Sequence, residues 1–144
     1  MAQQTVIDVA KAPIEAFNAK DWDATRRTIA SGAVYDEVAT HTKADGADNV
    51  LTVWQGWASA FPDVQGTIDA AYAAGDTVIL EITWRGTHTD TLRAASGEIP
   101  ATGRRIEIPA CQIVDVADGK VQRVRQYFDM ATMMEQLGVG AAAV

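Results

Sequence analysis

The sequence predicts an α+β fold: a cone-shaped, curved antiparallel sheet with helices packed on its concave face. Three observations carry this expectation. Apolar residues recur every three or four positions up to Phe61, every second position from Gln65 onward, and return to helical spacing after Phe128. Helices, then antiparallel strands, then one short helix is the order of segregated α+β layers. A chain of 144 residues, 48% of them hydrophobic, suits a single domain over residues 1–144 with one core.

The stretch TVIDVAKAPIEAFNAK, residues 5–20, puts Val6, Val9, Ala10, Ile14 and Phe17 on one helical face, with Pro13 bending the helix or beginning its second half. DWDATRRTIASG, 21–32, reads as a second helix: Asp21 is the N-cap, Trp22, Ile29 and Ala30 lie near one side, and Gly32 is the stop. These two form a helical hairpin. AVYDEVA, 33–39, is a short strand, and Val50, Val53, Trp54, Trp57 and Phe61 mark a third amphipathic helix ended by Pro62. Strands follow near 65–74, 76–88, 104–116 and 120–128, with Gly75-Asp76 and Asp118-Gly119 as hairpin turns. TDTLRAASGEIPATG, 89–103, is a long loop rich in small residues, placed to lie over a pocket mouth.

A net charge of −7 and no basic stripe exclude a nucleic-acid partner, whose phosphates call for Lys and Arg. No export signal and no apolar run of about 18 residues is present, so no membrane association is expected and the location expected is cytoplasmic. The lone Cys111 gives no internal disulfide, and two histidines, His41 and His88, build no zinc-type cluster. Chemistry without metal or cofactor is the expectation.

Alternation assigns the faces of the strands. Val78, Leu80, Ile82 and Trp84 share the core side of theirs, leaving Ile79 outside in need of another cover. Ile106, Ile108, Ala110, Gln112, Val114 and Val116 form the next inward row; Val124, Gln126 and Phe128 form the last, with Arg123, Arg125 and Tyr127 outward. Gln112 and Gln126 are thus amides in apolar rows. Each needs a partner, which is the other amide, a water or a polar group of a ligand. Neither titrates as a base. Asp129 directly precedes MATMMEQL, whose Met130, Met133, Met134 and Leu137 make an apolar stripe; its position is that of an N-cap, and capping holds a carboxylate ionised.

AFPD (60–63), WRGTHTD (84–90), PATGRRIEIP (100–109), DGK (118–120) and YFDMATMMEQLG (127–138) resemble, in order and spacing, the SnoaL-like polyketide cyclases of the nuclear transport factor 2-like superfamily. The resemblance runs from about residue 5 to residue 138. It implies an α+β cone with an apolar small-molecule pocket, a homodimer formed through the outer sheet face, and a cofactor-free aldol-type ring closure by an aspartate and a histidine on the last two strands. Those two positions fall on Gln126 and Gln112, which removes the base. Asp129 matches the family's recurrent Phe-Asp pair, which a cap also explains.

The stretch 34–41 offers other acids. If Tyr35 and Glu37 point inward, Glu37 is a carboxylate in an apolar pocket with a raised pKa; if Val34, Asp36 and Val38 do, the acid is Asp36. The apolar flanks favour Asp36 and the resemblance favours Glu37, which ranks first. His41 and His88 sit at strand–loop edges where hydrogen-bonded or solvated histidines are common, although His88 borders the pocket loop. Trp54, Trp57 and Trp84 suit the core, and an indole on the concave face also suits a flat ligand. The candidates are therefore Glu37 and Asp129 for proton transfer, with Tyr35, Trp54, Trp84, His88, Gln112, Gln126 and Phe128 for ligand binding. Three readings follow: a SnoaL-like enzyme acting on an apolar carbonyl-bearing ligand, a binding protein of the same fold, and an interaction module with a filled core.

Overall fold

The computed structural model describes residues 2–94 and 97–139. Helix α1 runs from Gln3–Asn18 and buries Val6, Ala10, Pro13, Ile14 and Phe17, the face its spacing marks. Pro13 stays inside one continuous helix. Helix α2, Trp22–Arg27, starts where expected, with the Asp21 side chain accepting from Ala24 N, but is half the expected length. Ile29 and Ala30 instead open strand β1, Ile29–Glu37. Ile29 is β-branched and gains more by pairing with Val121 across the sheet than by extending a short helix.

A 3₁₀ turn at Val38–Thr40 leads into strand β2, Thr42–Asp45, and helix α3, Ala47–Ala60. Strands β3, Gln65–Ala74, and β4, Thr77–Thr87, form a hairpin through Gly75-Asp76. The expected loop 89–103 contains a small hairpin of β5, Leu92–Ala94, and β6, Gly97–Ile99, with Leu92 buried. Small side chains hid this hairpin from a periodicity reading. Strands β7, Arg105–Ala117, and β8, Lys120–Phe128, are joined by Asp118 and Gly119 at φ +55° and +71°, the double left-handed geometry of a type I′ turn. Helix α4, Met130–Gln136, ends the described chain.

The six-stranded sheet has the order β2-β1-β8-β7-β4-β3, and a separate two-stranded sheet holds β5 and β6. It is not wholly antiparallel: β1 and β8 run parallel. A parallel pair needs a long crossover, and here nearly the whole chain between the two strands supplies it. Register shifts at Ile68/Ala70 in β3 and at Asp115/Val116 against Val121 in β8 mark bulges, which bend strands and curve the sheet. The second explains why Val121 is fully buried although it has the parity of the outward Arg123. Helices α1, α3 and α4 pack on the concave side, and the inward rows expected for β4, β7 and β8 are the observed ones.

Candidate active site

Between the helices and the sheet a cavity remains, so the core is not filled. Pro13, Ile14 and Phe17 of α1 form one wall, Trp54 and Trp57 of α3 a second, and Tyr35, Trp84, Gln112, Gln126 and Phe128 the sheet floor. The indole of Trp84 lies flat across Gly66, its Cα partner on β3: a Cβ there would come within 2.6 Å of the ring. Only glycine leaves that space.

The polar groups form one connected chain. Trp84 Nε1 donates to Gln126 Oε1 at 3.1 Å, and Gln112 Nε2 donates to the same oxygen at 2.9 Å. Gln126 Nε2 donates to the Tyr35 hydroxyl at 2.8 Å, and that hydroxyl donates to Glu37 Oε2 at 2.5 Å. Trp57 Nε1 donates to the same carboxylate oxygen at 2.8 Å, while Thr40 Oγ1 reaches Glu37 Oε1 at 2.7 Å and Thr42 Oγ1 at 2.9 Å. Register makes this possible: Tyr35 pairs with Val124, Glu37 with Gln126, and Gln126 with Gln112, so the side chains rise from three adjacent strands on one face.

The register that turns Tyr35 and Glu37 inward is the one adopted, with Glu37 2% exposed. Asp36 faces outward, opposite Arg125 and Lys43. The apolar flanks mislead because Val38 has left the strand for the 3₁₀ turn, so its side chain no longer follows the alternation. Burial pushes the Glu37 carboxyl above its ordinary value, opposed by the bonds from Tyr35, Thr40 and Trp57. Tyr35 is pushed well above the ordinary phenol value, first by burial and then by the charge of Glu37.

Two expected site residues lie elsewhere. Asp129 caps α4, its carboxylate accepting from Thr132 N at 3.0 Å and Thr132 Oγ1 at 2.7 Å; it is exposed and held below the usual carboxylate range by those bonds. That geometry makes it a cap, and it is not among the residues that line the cavity. His88 is fully buried rather than solvated, but it stands behind Phe61, stacked on that ring at 5.1 Å, with Nδ1 3.0 Å from Thr102 Oγ1. It does not reach the cavity lining. His41 is exposed. Tyr35, Trp54, Trp84, Gln112, Gln126 and Phe128 do line the cavity, and Glu37 lies directly behind Tyr35 and Trp57. Sequence reasoning assigned Trp57 to the core and passed over Thr40; the one signal available was Thr40 three residues after the inward Glu37. No group of three or more metal-capable side chains lies together among the described residues.

A sequence model of the SnoaL-like polyketide cyclases matches residues 7–137. The chain belongs to that family. Among solved structures, the SnoaL-like chain resembles IdmH of Streptomyces antibioticus, a proposed polyketide cyclase, at 31% identity and TM-score 0.79, over 93% of this chain and 99% of that one. A proposed SnoaL-like polyketide cyclase from Jannaschia sp. CCS1 superposes with TM-score 0.83 at 16% identity, over 96% and 94% of the two chains. An LEH-like epoxide hydrolase of M. tuberculosis superposes with TM-score 0.73 at 21% identity, over 98% and 95%. These last two likenesses are of fold alone. Among curated proteins none matches the chain. No helix among the described residues is long and apolar enough to cross a membrane.

Proposed function

We propose that this SnoaL-like protein is a small-molecule enzyme performing cofactor-free acid–base chemistry, of cyclase or isomerase type, on an apolar carbonyl-bearing or polyketide-like ligand. The observation that carries the reading is the buried Glu37, without a cation partner among the described residues, hydrogen-bonded to a tyrosine that lines an apolar cavity. Burial makes this carboxylate a stronger base than an exposed one, which suits it to taking up a proton. Glu37 does not itself line the cavity, so the proton passes through Tyr35. As a C–H proton next to the ligand carbonyl moves to the phenolic oxygen, the phenolic proton moves to Glu37 Oε2, leaving an enolate. The high pKa of Tyr35 keeps a tyrosinate from accumulating. Gln112 and Gln126 orient ligand oxygen atoms, while Trp54, Trp84 and Phe128 hold its apolar body.

The chain acts as one domain in the cytoplasm and forms a homodimer through the outer face of the sheet. Supporting that assembly, Tyr72, Ile79 and Ile113 lie side by side across β3, β4 and β7 on the outer face, with Tyr72 and Ile79 exposed. The catalytic reading is tested by proton exchange. Incubation of 2-indanone with the protein in D₂O, followed by NMR, should show faster loss of the α-hydrogens than in buffer, and Glu37→Gln should lower the enzyme-dependent rate by about 10²–10⁴-fold. A rate equal to buffer contradicts it. The rival, a carrier that binds without turnover, draws support from two amides that cannot titrate standing at the cavity floor.

A further inference from the structure

The direction of the hydrogen-bonded chain is fixed by its ends. An indole N–H only donates, so the Gln126 atom facing Trp84 is its oxygen. Gln126 then turns its NH₂ to Tyr35, whose own proton goes to Glu37. Gln112, facing the same Gln126 oxygen, must present its NH₂ there as well. Its oxygen is left over. Gln112 Oε1 accepts no hydrogen bond among the described residues, and it is not one of the polar atoms both shielded and unpartnered, which are His88 Nε2 and Arg125 Nε. It therefore opens onto the cavity, from a residue itself only 6% exposed.

The groups around it cannot compensate. The indole N–H of Trp57 is already given to Glu37, that of Trp84 to Gln126 and that of Trp54 to the Tyr35 hydroxyl, and the remaining neighbours on the floor, such as Ile108 and Val124, are apolar. Flipping the Gln112 amide would set two carbonyl oxygens against each other.

We infer that Gln112 is a specificity-determining residue whose side-chain oxygen selects a ligand carrying a hydroxyl donor, a phenol or an enol, on its apolar ring. This deepens the proposed reading of the same cavity. The spare N–H hydrogens of Gln112 and Gln126 donate to a neighbouring carbonyl oxygen, so a ring with a hydroxyl near a carbonyl satisfies the floor on both counts. A ligand lacking the donor leaves a desolvated oxygen unpaired, and sites built to bond a hydroxyl discriminate strongly against analogues without it.

The test uses 4-methylphenol and 4-methylanisole, which differ by replacement of the hydroxyl hydrogen with a methyl group. Each is titrated into ¹⁵N-labelled full-length protein, following the indole N–H signals of Trp57 and Trp84. The phenol is expected to bind at least tenfold more tightly, and Gln112→Met should bring the ratio to within twofold of one. A wild-type ratio near one, or no response of those signals to the phenol, overturns the inference, whether or not the variant folds. So does a phenol preference retained by folded Gln112→Met. Glu37→Gln separates this proposal from the catalytic one: it should keep the phenol preference while losing proton exchange. Retained exchange in that variant defeats the catalytic reading alone.

Discussion

Replacing Glu37 by glutamine or by alanine separates what the carboxylate does for the fold from what it does for chemistry. In the glutamine variant the amide oxygen occupies the Oε2 position and accepts from Tyr35 and Trp57, the two donors now at 2.5 and 2.8 Å. The NH₂ takes the Oε1 position and donates to Thr40 Oγ1, whose own hydrogen turns to Thr42 Oγ1, 2.9 Å away. Every hydrogen bond survives and the charge is gone. Alanine instead orphans the Tyr35 hydroxyl and the Trp57 indole N–H, while Thr40 can still turn to Thr42. Two unsatisfied buried donors cost about 2–6 kcal/mol together, at 1–3 kcal/mol each.

The pH dependence has a fixed sign. Because the folded-state pKa of Glu37 is raised, the folded protein holds the proton where the unfolded chain has lost it. The associated stability is fully present below the ordinary glutamate value of about 4.5 and is lost as pH rises through the raised value. Glu37→Gln should therefore match wild type in acid and exceed it at neutral pH. Urea unfolding at a series of pH values, run beside the 2-indanone exchange assay, measures both effects. A glutamine variant as unstable as the alanine one refutes the hydrogen-bond assignment, and one exchanging protons within twofold of wild type refutes the role of Glu37.

Asp129→Asn should change neither stability nor proton exchange, since asparagine also caps helices; a large fall in exchange alone would restore Asp129 to the chemistry. Gly66→Ala should displace the Trp84 indole and break its bond to Gln126, seen as a shifted indole N–H signal and at least tenfold weaker 4-methylphenol binding; an unchanged spectrum would contradict the packing. His88 is held neutral because burial lowers its pKa, so its contribution is present above the ordinary histidine value of about 6.5 and is lost as pH falls from there through the lowered one. His88→Gln should flatten that part of the stability curve. Ile79→Lys should convert a dimer into monomers by sedimentation; a wild-type monomer would dismiss the proposed interface.

By itself the sequence determined the layer order, the parity of β4, β7 and β8, the cap roles of Asp21 and Asp129, and the placement of two amides on an apolar floor. These depend on short-range rules, the alternation of strands and the unsatisfied N–H groups at helix starts, which act within a few residues. The tertiary structure decided the rest. Ile29 looked helical until β8 offered it a partner, and the parallel pairing of β1 with β8 joins residues nearly a hundred positions apart. The inward turn of Glu37 depended on where the strand ended, which the pattern around Val34 and Val38 does not reveal. Local pattern could not join Glu37 to Gln112 either. That chain exists because β1, β8 and β7 lie side by side, and its direction is set by two indoles delivered from α3 and β4. Periodicity encodes which face a residue takes, but a hydrogen-bond partner is a matter of distance in space, fixed only when distant strands come into register.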